Sequence, residues 1–209
     1  MVRRARHART PATFGFTLLE LMVVVVMIGV LVTLAIPSIA TQMHDRRMNQ
    51  AAHEIALLYR QARSIAMGRG AAVMVRFDAK AESRGAVEVR EAKNDQPSQS
   101  CVGLPATSCG NTDWNAGSAQ NHLIAAFEPA KWGVYSNVQL KFKTSADPSG
   151  ANAIDICFSP LGRPYWRRAH TGAFIPMTEV PQVDVSPFDG LGLTRTVLVL
   201  PTGASRLAL

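Results

Sequence analysis

The stretch from residue 16 to 36 reads FTLLELMVVVVMIGVLVTLAI and decides the class of the fold. Its only non-apolar side chains are those of Thr17, Glu20 and Thr33. A helix of these 21 residues rises about 31 Å, which matches the hydrocarbon core of a bilayer at about 30 Å. A surface helix of a soluble protein keeps a polar face, and this stretch has none. The sequence therefore predicts a transmembrane helix over residues 16–36.

The charges on either side of this stretch predict its orientation. The segment before it holds four arginines and no acid: Arg3, Arg4, Arg6 and Arg9. On the other side, Arg46 and Arg47 lie ten residues beyond the end of the stretch. Because cytoplasmic flanks carry the excess of Lys and Arg, we expect a cytoplasmic N-terminus at the inner membrane. The rest of the chain is then periplasmic.

Glu20 is the one charged side chain within the stretch. A carboxylate costs up to about 3 kcal/mol at the bilayer centre, so its presence suggests a function. One turn into the helix, it is favoured by the N-terminal end of the helix dipole. If the chain is cut before Phe16, the new α-ammonium can pair with Glu20 of the same or a neighbouring helix and fix their register. The alternative is that Glu20 lies at the headgroup level and has no role.

The hexapeptide Gly15-Phe16-Thr17-Leu18-Leu19-Glu20 resembles the prepilin-peptidase recognition motif of type IV pilins and type II secretion pseudopilins. The resemblance implies removal of the basic leader, residues 1–15, and N-methylation of Phe16. It also implies that Glu20 helps to recruit each subunit to a growing filament. Pro37 falls where these proteins often carry a helix-kinking proline. The implied partners are prepilin peptidase, an inner-membrane assembly platform and other pilin or pseudopilin subunits.

Two other interpretations of the N-terminus compete with this one. Ser38-Ile39-Ala40 places small residues where a signal peptidase reads them, but the apolar run is long for a signal peptide and contains a carboxylate. An uncleaved signal anchor explains the hydrophobicity of residues 16–36 but does not explain the sequence of residues 15–20, Gly-Phe-Thr-Leu-Leu-Glu.

An amphipathic pattern follows the apolar stretch over residues 37–68. Apolar side chains recur at helical spacing, at Met48, Ala51, Ala52, Ile55, Leu58, Tyr59, Ala62, Ile65 and Ala66. Gly68-Arg69-Gly70 supplies the end of a helix. We therefore expect the membrane helix to continue outward, with this stripe of apolar residues packed on a β-domain.

Residues 70–209 show the two-residue period of short strands. The alternating segments are 73–77, 87–89, 140–142 and 154–158, and a continuous apolar run covers 197–200. They predict an antiparallel β-domain, so the expected fold class is α+β.

Residues 94–118 are rich in Gly, Ser, Asn, Pro and Gln and predict a long exposed loop. Cys101 and Cys109 lie within it, and we expect them to form a loop-closing disulfide in an oxidising compartment. Cys157 lies in a predicted strand and is expected to be a buried thiol. No His or Cys stands at zinc-ligand spacing, so no metal is expected.

Two segments near the end of the chain resemble the globular domain of the H-type pseudopilin and FimT-like minor pilin family. They are Phe158-Ser159-Pro160-Leu161-Gly162-Arg163 and Thr196-Val197-Leu198-Val199-Leu200-Pro201-Thr202-Gly203. The resemblance implies a β-sandwich packed on the outer half of a long helix, and a minor subunit near a filament tip. The alternative is that both segments are only hairpin turns closed by Pro and Gly.

Nothing in the sequence indicates an enzyme or a cofactor, since no catalytic motif is present. The net charge of +7 falls to 18 basic against 15 acidic residues once the leader is removed, which does not indicate a nucleic-acid partner. Some FimT-like proteins carry a C-terminal Gly-Arg-x-Arg motif for phosphates, but this chain reads Gly203-Ala204-Ser205-Arg206. A DNA-binding minor pilin for DNA uptake is the alternative function. Its basic patch would comprise Arg163, Arg167, Arg168, Arg195 and Arg206, with Trp166 for stacking.

The first prediction is therefore a minor pilin or pseudopilin of type IV pilin-like architecture: a long helix, transmembrane in its first half and amphipathic in its second, on an antiparallel β-sandwich. The sequence does not distinguish a secretion pseudopilus from a type IV pilus, because both use the same anchor.

Overall fold

The computed structural model describes residues 15–93, 108–144, 152–190 and 192–208, with the backbone alone at residues 34–41 and 82. The predicted leader and Cys101 lie outside these ranges. The described residues form one α-helix, α1 (Leu18–Arg69), and two 3₁₀ helices, Ala81–Ser83 and Gly133–Tyr135. The strands are β1 (Val73–Asp78), β2 (Ala86–Ala92), β3 (Asn121–Phe127), β4 (Val138–Lys143), β5 (Ala153–Phe158), β6 (Pro164–Arg168), β7 (Ile175–Pro176), β8 (Gln182–Pro187), β9 (Arg195–Val199) and β10 (Ser205–Ala208).

The chain divides into two compact units, Met1–Gln42 and Met43–Leu209. The first unit contains the N-terminal part of α1, and Pro37 lies within that helix. The kink expected at Pro37 stays a prediction. Within the described ranges, no helix has the length and apolarity needed to qualify as a membrane-crossing segment.

The second unit confirms the amphipathic pattern of α1. All nine residues of the predicted apolar stripe are buried except Ile65, which is half-buried, and Leu57 beside the stripe is exposed. The helix ends at Arg69, and Gly70 follows with φ +67°, a conformation that glycine adopts without strain.

Ten strands of the described residues form two antiparallel sheets. Sheet one has the strand order β3-β2-β1-β5-β6-β7, and sheet two has the order β10-β9-β8-β4. All five segments predicted from alternation or apolar runs lie in strands, namely β1, β2, β4, β5 and β9. The other five strands were not predicted.

One apolar core joins α1 to both sheets. The stripe of α1 packs with the inward side chains of β1, β2, β4, β5, β8 and β9. Phe77 of β1 and Phe142 of β4 connect the two sheets directly, with their ring centroids 5.4 Å apart. The prediction of a helix packed on antiparallel sheets is confirmed.

The outer face of sheet one has a smaller core of its own, covered by residues 108–118, which we name the cap segment. Trp114 of this segment packs with Met74 of β1 and Cys157 of β5, and Phe174 lies at the margin. These residues were predicted to be part of an exposed loop. For 108–118 the loop is confirmed and most of its residues are exposed, but Cys109 and Trp114 are buried against the sheet.

The predicted cysteine pairing is wrong. Cys109 is bonded to Cys157, with the two Cα atoms 6.0 Å apart, so Cys109 is not available to Cys101 and Cys157 is not a free thiol. The bond joins residues 48 positions apart, because the cap segment folds back over β5. Closing a loop of this length removes about 4 kcal/mol of chain entropy from the unfolded state.

Candidate functional site

The hexapeptide of residues 15–20 forms the start of α1. Thr17 is the residue before the helix, and its Oγ1 accepts a hydrogen bond of 3.2 Å from the backbone N–H of Glu20. This side-chain cap satisfies one of the free N–H groups of the first turn. Gly15 and Phe16 precede the helix and are exposed, and Gly15 has open space around its Cα. The Gly15–Phe16 peptide bond is therefore accessible and outside the helical hydrogen-bond ladder.

Glu20 lies in the first turn of α1 and is exposed. No described residue makes an ion pair with it. The Thr17 side chain bonds to the backbone of Glu20, so the carboxylate itself stays available to an outside partner.

The apolar part of the first unit is uncovered. Every side chain from residue 15 to 33 is exposed, including Phe16 at 79% and Leu31 at 66% of full exposure. Monomeric soluble proteins rarely expose a continuous apolar surface of this kind, which marks a site of interaction with lipid or protein.

Three of the five arginines of the predicted basic patch have partners within the protein: Arg167, Arg168 and Arg195. Arg167 belongs to a buried ion cluster on the outer face of sheet one. Its Nη2 lies 2.6 Å from Asp155, and its guanidinium carbon lies 4.5 Å from the centre of the Phe174 ring. These contacts keep Arg167 12% exposed, so its charge is already paired within the protein.

Two further arginines and the tryptophan also have partners. Trp166 is buried in the main core and therefore cannot stack on a base. Arg168 lies over the Trp166 ring and 3.7 Å from Glu179. Arg195 donates a hydrogen bond of 2.6 Å to Asn49 of α1. Trp166 is therefore not available for stacking, and the patch as a nucleic-acid site stays a prediction.

The cluster around Asp155 explains the pairing of Arg167. Asp155 is fully buried between β1 and β6, and it accepts hydrogen bonds from Arg76 at 2.9 Å and Arg167 at 2.8 Å. His170 contacts the same carboxylate at 3.0 Å. Burial by itself would raise the pKa of Asp155, but the hydrogen bonds from His170, Arg76 and Arg167 outweigh it and lower that pKa.

The two C-terminal segments that resemble the minor pilin family form two turns of the same design. In one, Gly162 N–H donates to the Ser159 carbonyl at 2.8 Å; in the other, Gly203 N–H donates to the Leu200 carbonyl at 2.7 Å. Both glycines have positive φ, +72° and +80°. A Cβ on Gly203 would lie 3.0 Å from the Gly162 carbonyl oxygen, so the turns are in contact. Pro–Gly turn chemistry accounts for both segments.

Two arginines of α1 contact the two turn regions. Arg63 of α1 donates a hydrogen bond of 3.3 Å to the Gly162 carbonyl, and Arg60 lies 3.2 Å from Ser205. Arg163 directly follows Gly162, and Arg206 lies three residues after Gly203 on β10; both are exposed. Because Ser205 contacts α1, Arg206 lies on the opposite face of its strand. We use the name arginine cluster for these four residues on or beside the turns, without implying contact between their side chains: Arg60, Arg63, Arg163 and Arg206.

No member of the arginine cluster makes an ion pair with a described residue. Sequence reasoning found Arg163 and Arg206 but missed the two helical arginines. Their three-residue spacing on the polar side of the stripe placed them on one face of the helix. It did not show that the two turns pack against that face.

No protein-family model matches the chain, and no curated protein shows significant similarity to it. The crystal structure of the type IV minor pilin FimU from Pseudomonas aeruginosa is similar to it, with a TM-score of 0.43 and 14% sequence identity. That match covers 78% of this chain and 90% of the other. A likeness at this level carries no argument about function, so the proposals below rest on the residues of this chain.

Proposed function

We propose that this chain is a minor subunit of a type IV pilin-like filament, either a type II secretion pseudopilus or a type IV pilus. In this proposal prepilin peptidase removes the leader after Gly15, and Phe16 becomes the N-methylated first residue. The subunit waits in the inner membrane with its second unit in the periplasm. It then passes from the assembly platform into the filament, at or near the tip.

The observation that carries the proposal is the geometry of residues 15–20. The peptide bond to be cut precedes the helix and is exposed, as a peptidase substrate must be. Cleavage there would leave the α-ammonium of Phe16 within one helical turn of Glu20. The carboxylate, with no ion-pair partner among the described residues, is then the natural acceptor for the ammonium of a neighbouring subunit.

The exposed apolar surface of residues 16–33 favours a cover that excludes water, both before and after assembly. Burial of each large apolar side chain contributes about 1.5–3 kcal/mol, whether the cover is lipid or a bundle of like helices. Transfer from membrane to filament keeps this surface out of water throughout. The second unit would then make the contacts that select specific partner subunits.

Substitution of Glu20 by Gln tests the proposal. The amide keeps the shape of the side chain and removes its charge, so we expect a loss of filament incorporation of at least about tenfold, as for the loss of a paired charge. Incorporation is measured as the fraction of the full chain recovered in sheared or cross-linked filaments from its native host. Glu54→Gln, an exposed glutamate in the second unit of the same helix, is the matched control. Equal incorporation of both variants would contradict the assigned role of Glu20.

The arginine cluster supports a second candidate function, in which the subunit binds DNA for uptake. In this candidate, guanidinium groups on and beside the two turns contact the phosphates of a nucleic-acid backbone. Arg163 and Arg206 also belong to the patch that the sequence predicted.

The salt dependence of DNA binding by the detergent-solubilised full chain tests this second function. We expect the double variant Arg163→Gln/Arg206→Gln to lower the slope of log affinity against log salt by about 1.8, at about 0.9 for each lost phosphate contact. Lys141→Gln, an exposed cation on β4, is the control and should change the slope less. Absence of any binding at low salt removes this function and leaves the filament role unaffected.

A further inference from the structure

The Cys109–Cys157 bond joins the cap segment to β5, and both cysteines are largely buried. Cys157 is 0% and Cys109 8% exposed. The indole of Trp114 packs on the same cluster, and its Nε1–H donates to the Cys109 carbonyl at 2.9 Å. The sulfurs are therefore covered by the segment that the bond itself attaches to the sheet.

Side chains of β1 and β3 attach the cap segment to sheet one. Arg76 of β1 donates to the Trp114 carbonyl at 3.2 Å. The Asn121 amide of β3 donates to the carbonyls of Asp113 at 2.7 Å and Asn115 at 2.9 Å. Residues 108–118 contain no helix or strand, so few of their backbone groups bond to each other and most of their order comes from the sheet.

We propose that Cys109 and Cys157 are the substrate pair of a thiol–disulfide oxidant, and that the bond forms before the cap segment closes over sheet one. A cysteine thiolate attacks the oxidant in line with the S–S bond of the oxidant. The reaction therefore needs open access to the sulfur of Cys109 or Cys157. The closed cap gives no such access. Oxidation therefore comes first, and docking of Trp114 then seals the product.

The chemistry balances as a two-step exchange. The thiolate of Cys109, in the still undocked cap segment, attacks the disulfide of the oxidant, forms a mixed disulfide and releases one thiolate of the oxidant. The thiolate of Cys157 then attacks the Cys109 sulfur, which forms the intramolecular bond and releases the second thiolate. The two cysteines lose two electrons and two protons in all, and the oxidant disulfide becomes a dithiol.

This order makes the disulfide a condition for cap closure. Without the bond, the loop from β2 to the cap must be closed at the full entropic cost, and the remaining contacts are a few hydrogen bonds and one indole. The reduced chain is then expected to keep the main core and to leave the cap segment open. The inference does not rest on the filament proposal, but it requires the second unit to mature in an oxidising compartment.

Thiol alkylation of the full chain, purified in detergent as the Cys101→Ser variant, tests the inference. Only Cys109 and Cys157 then remain as possible thiols. We expect no free thiol in the isolated protein. After reduction in denaturant and refolding under reducing conditions, we expect both thiols to react with the alkylating agent within about threefold of their rates in denaturant, as for groups in an open segment.

Trp114→Ala in the same background is the matched variant. It opens the cap without a change at either sulfur, so we expect native-state reduction by dithiothreitol at least about tenfold faster than in the parent, in line with a more populated open state. Two free thiols in the isolated parent protein would overturn the inference. So would strong protection of both thiols in the reduced, refolded chain, because the cap would then close before oxidation. An unchanged reduction rate in Trp114→Ala would show that the cap does not shield the bond.

Discussion

The two described parts of α1 have the same backbone and opposite surroundings. From residue 15 to 33 every side chain is exposed and almost all are apolar. From Met48 to Ala66 the apolar side chains lie on one stripe, and Ala51, Ala52 and Ala62 are 0% exposed. The second part is complete within the chain because two sheets cover it. The first part has no cover from the residues that the structure describes.

This difference separates stability from assembly within a single helix. Changes in the covered part should alter folding of the unit Met43–Leu209. Changes in the uncovered part should leave that folding intact and alter the assembly of the subunit with its partners. The four predictions below test this separation, from the largest expected effect on stability to the smallest.

Ala62→Glu places a carboxylate in the covered stripe, at a position with no exposed surface. No described partner is available for it, so we expect a loss of more than about 4 kcal/mol in the free energy of unfolding. Urea denaturation followed by tryptophan fluorescence measures the loss. Gln61→Glu, the exposed neighbour on α1, should change the free energy by less than about 0.5 kcal/mol. Equal effects of the two variants would show that the stripe is not buried.

Asp155→Asn breaks the ion cluster on the outer face of sheet one and leaves Arg76 and Arg167 without a full partner charge. We expect a loss of about 3–5 kcal/mol in the free energy of unfolding at pH 7. The direction of the pH dependence follows from the lowered pKa of Asp155. The stabilisation is present above the unfolded pKa of about 3.9 and is lost as the pH falls through the lower folded value.

Acid titration of stability therefore distinguishes Asp155 from other carboxylates. Below pH about 4, the parent should lose stability more steeply than Asp155→Asn, since the variant has no carboxylate to protonate at this site. An Asp155→Asn curve parallel to that of the parent would contradict the assignment of the ion cluster.

Gly203→Ala tests the contact between the two Pro–Gly turns. A Cβ at this position would lie 3.0 Å from the Gly162 carbonyl oxygen and 3.0 Å from Arg63 Nε, in addition to the strain of a positive φ. Gly172→Ala has the same kind of strain, with φ +94°, and no atom within 4 Å. We expect Gly203→Ala to cost about 1–3 kcal/mol more than Gly172→Ala, because only the first overpacks a closed contact. Similar thermal unfolding midpoints for the two variants would show that the contact between the two turns does not contribute to stability.

Glu20→Gln should have the smallest effect on stability. Glu20 lies in the uncovered part of α1 and makes no ion pair with a described residue. The urea midpoint of the unit Met43–Leu209 should therefore stay within error of the parent value. A clear shift would mean that the two parts of α1 are coupled in folding, and that a loss of assembly could not be assigned to the charge alone.

The sequence predicted the parts of the fold that have a regular local signal. The stripe of α1 follows the helical period, and β1, β2, β4 and β5 alternate in polarity because each has one face on the core. Val183 and Val185 of β8 alternate around Asp184 in the same way, so this strand could have been found. Edge strand β3 carries no such pattern, since Leu123 and Ile124 are both partly exposed on opposite faces.

The contacts that join distant parts of the chain had no local signal. Cys101 and Cys109 are close in sequence, and that nearness favoured the wrong pair over one that spans 48 positions. The arginine cluster joins α1 to turns about a hundred or more residues away, as the separations of 99 and 145 between hydrogen-bonded partners show. The sequence shows the charge of Arg167 and the ring of Trp166, and these properties led us to place both on a surface. Their burial on β6 depends on how the two faces of the sheet are packed, which the sequence does not show.

The intact mass and N-terminal sequence of the protein recovered from membranes of its native host test the central claim most directly. Our account predicts a chain that begins at N-methylated Phe16, with the leader removed after Gly15. A chain that still carries Arg3 to Arg9, or one that begins at Thr41, would contradict it. Either result would leave a β-domain that is anchored or secreted by another route, without a pilin-like role.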